Sequence, residues 1–172
     1  MGDKEVAAPF RLAVLALNGG PTDGLVVSFA AALAKPSRAR LIAIHVVEVD
    51  WTHELSDDVA STDERAAAAL DRAETMCERF GVPIDTTLLQ ARDVGAAIVD
   101  EAAEVGAELI VVGLPFRKKF GGDFAMGRTV PYVLQNAPCG VIVVREPIAA
   151  SAARGDERQV AVGAGLSASD RL

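Results

Sequence analysis

Two glycines and an arginine frame the part of this chain best suited to chemistry. Ile110-Val111-Val112 is a β-branched run that ends at Gly113. The loop that follows carries Arg117, Lys118 and Lys119, with Asp123 as its one acid, and Gly127-Arg128-Thr129 then opens an apolar segment of helical character. A strand, a glycine loop and a helix start in that order form a common phosphate holder. Unpaired backbone N–H groups at a helix start point at the anion, and the helix dipole favours negative charge there. Glycine lets the backbone come close and adopt positive φ. Arg128 is a cation at the helix end that ordinarily repels cations, so a bound anion would relieve it. Together Arg117, Lys118, Lys119 and Arg128 reverse the local sign in a chain of formal net charge −7. The bland alternative is a solvated charged loop.

Little else in the sequence suggests catalysis. There is no Ser-His-Asp set, no paired carboxylates and no metal-ligand spacing, so the expectation is a protein that is not an enzyme, with slow ATP hydrolysis left open. Cys77 and Cys139 form neither a disulfide framework nor a zinc pattern and lack a neighbouring base, so both read as filler. His45 lies in an apolar strand and reads as a satisfied core histidine, while His53 sits in an acidic loop. The acidic balance argues against nucleic acid as a partner. No segment approaches the about 18 continuous apolar residues of a membrane span, which argues against membrane insertion. The start, MGDKEVAAPF, lacks the apolar core of a signal peptide, so a cytoplasmic location is expected.

The elements that must position these residues alternate along the chain. Arg11 to Leu17, Leu41 to Val47, Ile84 to Leu89, Glu108 to Val112 and Val141 to Val144 read as strands. Helical spacing predicts helices between them. The first is capped by Thr22 or Asp23 and stopped by Pro36. The second is capped by Ser61, with Glu64 completing a capping box, and closed by Gly81. The third is capped by Asp93, and the last runs from Thr129 to Ala137. The alternation predicts an α/β fold, a doubly wound five-stranded parallel sheet between two helical layers. Residues 1–10 read as an N-terminal extension, 11–146 as one domain, and 147–172 as a disordered tail of small and polar residues.

In a sheet of order 3-2-1-4-5, ligands bind at the strand carboxyl ends where the order reverses, between the first and fourth strands. The two most glycine-rich turns, Asn18-Gly19-Gly20 and the Gly113–Gly127 loop, follow those two strands. Asn18 could bond a ligand or simply make an Asn-Gly turn.

With these motifs, residues 11 to 145 resemble the universal stress protein family, most strongly in AELIVVGLPF and PYVLQNAPCGVIVV. The resemblance implies the sheet just described. It also implies ATP or AMP bound through a G-x2-G-x9-G-[ST] loop, with Mg²⁺ possible alongside the nucleotide. On this sequence the site would comprise Asn18, Gly19, Val46, Gly113, Arg117, Gly127, Arg128 and Thr129. Val46 would stand near the adenine. The match has departures. Phe116 stands at the second glycine, ten residues rather than nine separate it from Gly127, Arg128 replaces the Ser or Thr, and Asn18 replaces an Asp. Two functions fit: a nucleotide-binding regulatory protein of the stress response, or a nucleotide-free interaction module on the same fold, regulating a transporter for example. Val141, Ile142, Val143 and Val144 form an apolar edge, and a homodimer through that strand is expected from the edge and from the resemblance.

Overall fold

The computed structural model describes residues 9–51, 63–116 and 126–147. In chain order these form β1 (Leu12–Leu17), α1 (Asp23–Ala34), a 3₁₀ turn (Lys35–Ser37), β2 (Arg40–Glu48), α2 (Glu64–Phe80), β3 (Ile84–Ala91), α3 (Val94–Glu104), β4 (Leu109–Leu114), α4 (Thr129–Asn136) and β5 (Gly140–Arg145). The strands pair only in parallel, in the order β3-β2-β1-β4-β5, as the alternation of elements predicts.

Each strand sends alternate side chains to opposite faces, and each face carries two helices. On one face Ala13, Leu15 and Leu17 of β1 and Val111 of β4 pack beneath Val26, Val27 and Ala30 of α1 and Leu70 and Ala73 of α2. On the other, Val14 and Ile110 pack against Ile98 and Ala102 of α3 and Val133 of α4. Both faces of the three central strands are covered, which is why those strands read as unbroken apolar runs rather than alternating ones. The alanine content serves this packing: Ala30, Ala31 and Ala34 on α1 and Ala66, Ala69 and Ala73 on α2 are all buried.

The helix boundaries follow local chemistry, with one correction. α2 is capped by Asp63, whose carboxylate accepts from the backbone N–H groups of Arg65 and Ala66, both at 3.0 Å. The expected cap, Ser61, lies outside the described residues, and one carboxylate accepting two donors makes a second cap two residues earlier unnecessary. Gly81 ends the helix in the left-handed region at φ 68°, with its N–H and that of Val82 closing on the carbonyls of Glu78 and Cys77. Asp93 caps α3 by accepting from Ala96 N at 2.8 Å, as expected. Pro36 falls in the 3₁₀ turn that ends α1.

Candidate functional site

The order of the sheet reverses between β1 and β4, and the site is built from the turns that leave those two strands. After β1 the chain turns sharply at Asn18-Gly19-Gly20. Asn18 Oδ1 accepts from Gly20 N at 2.7 Å, closing an Asx-type turn. Asp23, in the first turn of α1, does not cap that helix. Its carboxylate reaches back to accept from Asn18 N at 3.2 Å and Gly19 N at 2.8 Å. Thr22 holds the cap position without a side-chain bond. The turn is thus held by one buried carboxylate and by its own asparagine, with the Arg65 side chain lying against Gly19.

Past β4 the expectation needs a correction. Gly113 is inside the strand rather than at the head of the loop, and it is not among the residues with positive φ. Its missing side chain makes room for α1: a Cβ there would stand 2.6 Å from Thr22 Oγ1 and 3.2 Å from a methyl of Val26. Gly127 differs. It adopts φ 73° with nothing within 4 Å of a Cβ position, so it is needed for its left-handed backbone at the entrance to α4. Arg128 is the N-cap residue of α4, and no side chain caps that helix. The first intrahelical donor is Tyr132 N, bonding Arg128 O at 3.2 Å. Pro131 has no N–H, so the donors presented at this helix start are the amides of Thr129 and Val130.

Between these two turns lies a cavity of about 310 Å³, with Asn18, Gly113, Gly127, Arg128 and Thr129 on its walls. Five of the eight residues singled out from the sequence therefore come together. Its deeper wall is apolar, from Ala16, Ile98 and Val112. Gly19 belongs to the same turn but does not line the cavity. Val46 packs into the core on the α3 side of β2 and does not line it either. Arg117 lies outside the described residues, as do Lys118, Lys119, Asp123 and His53. Sequence reasoning missed Asp23 as the clamp of the first turn and Met126 as a wall residue. The Asp23 signal was present locally, since an acid four and five residues past an Asn-Gly pair can accept from both amides.

The electrostatics around the cavity come from several elements. Arg128 Nη2 stands 3.6 Å from Glu48 Oε1 at the end of β2, so its charge has a protein partner as well as the helix end to face. Burial pushes the Asp23 carboxyl above the usual range, while the amides of Asn18 and Gly19 and the nearby His45 and Arg72 pull the other way. Burial likewise lowers His45, which faces Asp63, Asp23 and Arg65. His45 is not the satisfied core histidine expected: it is buried, and its Nδ1 has no hydrogen-bond partner among the described residues. Thr22 Oγ1, under Gly113, is in the same condition. Cys77 is buried with its thiol pushed up to about 11, and burial also raises Cys139, which fits two unreactive thiols. Among the described residues no group of three His, Cys, Asp or Glu side chains converges, and no helix is long and apolar enough to cross a membrane.

Residues 9–145 match the profile of the Universal stress protein family. A universal stress protein of Methanocaldococcus jannaschii is 33% identical over 141 residues, spanning 74% of this chain and 80% of its own. A crystal structure of a universal stress protein family member from Burkholderia pseudomallei superposes with a TM-score of 0.61 at 26% identity, covering 80% of this chain and 98% of that one. A universal stress protein from Archaeoglobus fulgidus, solved in complex with dAMP, superposes with a TM-score of 0.59 at 22% identity over 77% of this chain and 95% of its own.

Proposed function

The chain belongs to the universal stress protein family, and from that premise we propose that it is a regulatory protein that binds an adenine nucleotide, ATP or AMP, in the crevice between β1 and β4. One observation carries this reading: a 310 Å³ cavity at the switch point joins an apolar wall to an uncapped helix start that presents Arg128 and the amides of Thr129 and Val130. Such a space suits a base and sugar at one end and a phosphate at the other. The dAMP in the Archaeoglobus relative supports an adenine ligand. Asn18 keeps its amide nitrogen for the sugar or base, since its oxygen is used within the turn. A Mg²⁺ accompanying the nucleotide would be held by phosphate oxygens, with the Thr129 hydroxyl at hand.

The domain would span residues 11–146, act in the cytoplasm, and pair with a second copy through Val141, Ile142, Val143 and Val144 of the edge strand β5. A monomer in sedimentation at every concentration would count against that pairing. Rapid turnover is not part of the reading, because Asp23, the acid among the described wall residues, already accepts from two amides rather than standing ready to activate water. Holding ground and transition states equally well does not accelerate chemistry.

The test is mass spectrometry of small molecules released on denaturing the purified protein, followed by calorimetry with AMP and ATP. Arg128→Glu should weaken both ligands at least about tenfold, since it replaces attraction by repulsion, and added salt should weaken wild-type binding. ATP hydrolysis faster than about one per second, lost in the same variant, would mark an enzyme instead. A second reading, an interaction module without nucleotide, is favoured by the contacts already made by Asn18 Oδ1 and Arg128 within the protein. Absence of any adenine nucleotide binding at millimolar concentration would select it.

A further inference from the structure

We infer that Glu48 is a specificity-determining residue that sets how much affinity this site draws from a ligand's negative charge, by competing with phosphate for Arg128; the inference rests on the nucleotide reading above. Arg128 and Thr129 line two adjoining spaces. One is the 310 Å³ crevice, and the other is a pocket of about 180 Å³ that also takes in Glu48, Asp93 and Tyr132. The pairing of Arg128 Nη2 with Glu48 Oε1 at 3.6 Å lies on that shared wall, between the last residue of β2 and the entrance to α4.

The two spaces differ in sign. The crevice side has the start of α4 and the guanidinium. Its one acid among the described residues, Asp23, is buried and already accepts from two amides. The pocket side has two carboxylates, Glu48 and Asp93, of which Asp93 already caps α3. A phosphate in the crevice therefore meets attraction from Arg128 and repulsion from Glu48 across it.

The pair itself is loose. The Arg128 and Glu48 side chains are 88% and 55% exposed, so water screens their attraction and little is lost when the guanidinium turns to another anion. Glu48 thus weakens phosphate binding in two ways, by occupying Arg128 and by placing a second negative charge near the ligand. Both effects scale with the ligand's charge. An uncharged nucleoside escapes them, a monophosphate feels them, and a triphosphate feels them most.

The experiment is calorimetric titration of wild type, Glu48→Gln, Arg128→Gln and the double variant with adenosine, AMP, ATP and inorganic phosphate. Thermal melts serve as the folding control, since both side chains are exposed. Glu48→Gln is expected to tighten AMP by about two- to fivefold, the range of an exposed ion pair. It should tighten ATP by more and leave adenosine unchanged. In the Arg128→Gln background the gain should shrink, because the competition has been removed. Raised salt should shrink it too. Equal affinities of wild type and Glu48→Gln for AMP and ATP would overturn the inference while leaving the nucleotide reading intact. An equal gain for adenosine and AMP would also overturn it, because the effect would not be one of charge. If neither protein binds any adenine ligand, the nucleotide reading fails, and the phosphate arm then decides the inference: equal or absent phosphate binding sinks it, and tighter binding by Glu48→Gln sustains it for a bare anion.

Discussion

Replacing Gly113 by alanine presses a methyl group against the Thr22 hydroxyl. The added carbon would stand 2.6 Å from Thr22 Oγ1, 3.0 Å from Thr22 Cβ and 3.2 Å from Val26 Cγ2. Thr22 and Val26 are both fully buried, with no solvent-facing space for either side chain to move into. Either α1 lifts from β4 or Thr22 takes a poorer rotamer. Overpacking of this kind costs about 1–3 kcal/mol. Exchanging glycine for alanine at an ordinary φ returns about 0.4–1 kcal/mol by restricting the unfolded chain. The net expectation is a loss of about 1–2 kcal/mol, a fall in Tm of roughly 2–8 °C for a chain of this size. Urea unfolding followed by circular dichroism measures it. Thr22→Ala is the informative partner, because it removes the closest atom, and that atom has no hydrogen bond to lose among the described residues. The double variant should recover part of the loss, a coupling of about 0.5 kcal/mol or more. Strict additivity, or a Gly113→Ala protein as stable as wild type, would refute the view that this glycine makes room for the helix.

Two further predictions concern stability. The fold favours neutral His45, so the unfolded chain binds that proton more readily; the stability it contributes is full above about pH 6.5 and declines as pH falls below that value. The urea midpoint should therefore drop between pH 7.5 and 5.5, and drop less in His45→Gln; identical pH dependence in the two proteins would assign the slope to other groups. Asp63→Ala should cost about 1 kcal/mol, because two amides of α2 lose their acceptor. Ser61→Ala should cost little, and the reverse ranking in urea titrations would restore the serine as the cap.

What the sequence made legible was what depends on neighbours in the chain. The β-branched runs and the stops at Pro36 and Gly81 lie within a few residues of the structure they cause. Asp93 was legible as a cap because its acceptor and donor are three residues apart. Position 113 was legible as small but not in purpose. A glycine can admit a ligand or a helix, and the answer lay with Thr22, which only the β1–β4 pairing brings near. Arg128 was legible as a cation at a helix start, but its partner Glu48 comes from a strand two positions away in the sheet from the one preceding α4. Val46 was legible as a strand residue, but the face its side chain takes, packed against the core on the α3 side, is set by the sheet and its helices. The bare Nδ1 of His45 depends on groups from α1 and α2 that no local pattern records.

The pairing of β1 with β4 has a consequence for when the protein becomes competent. Ala13 lies opposite Leu109, and Arg11 bonds Glu108 through its backbone N–H at 2.8 Å and its guanidinium at 2.7 Å, across 97 residues of chain. The crevice exists only once that distant closure has been made, and its last wall is the start of α4. A chain emerging from the ribosome can form the β1–β2 pair early, but it has no ligand site until residues near 130 are free to fold. A nucleotide bound there would therefore report that the chain has folded as far as α4, since fragments ending before α4 lack the helix start that lines the crevice.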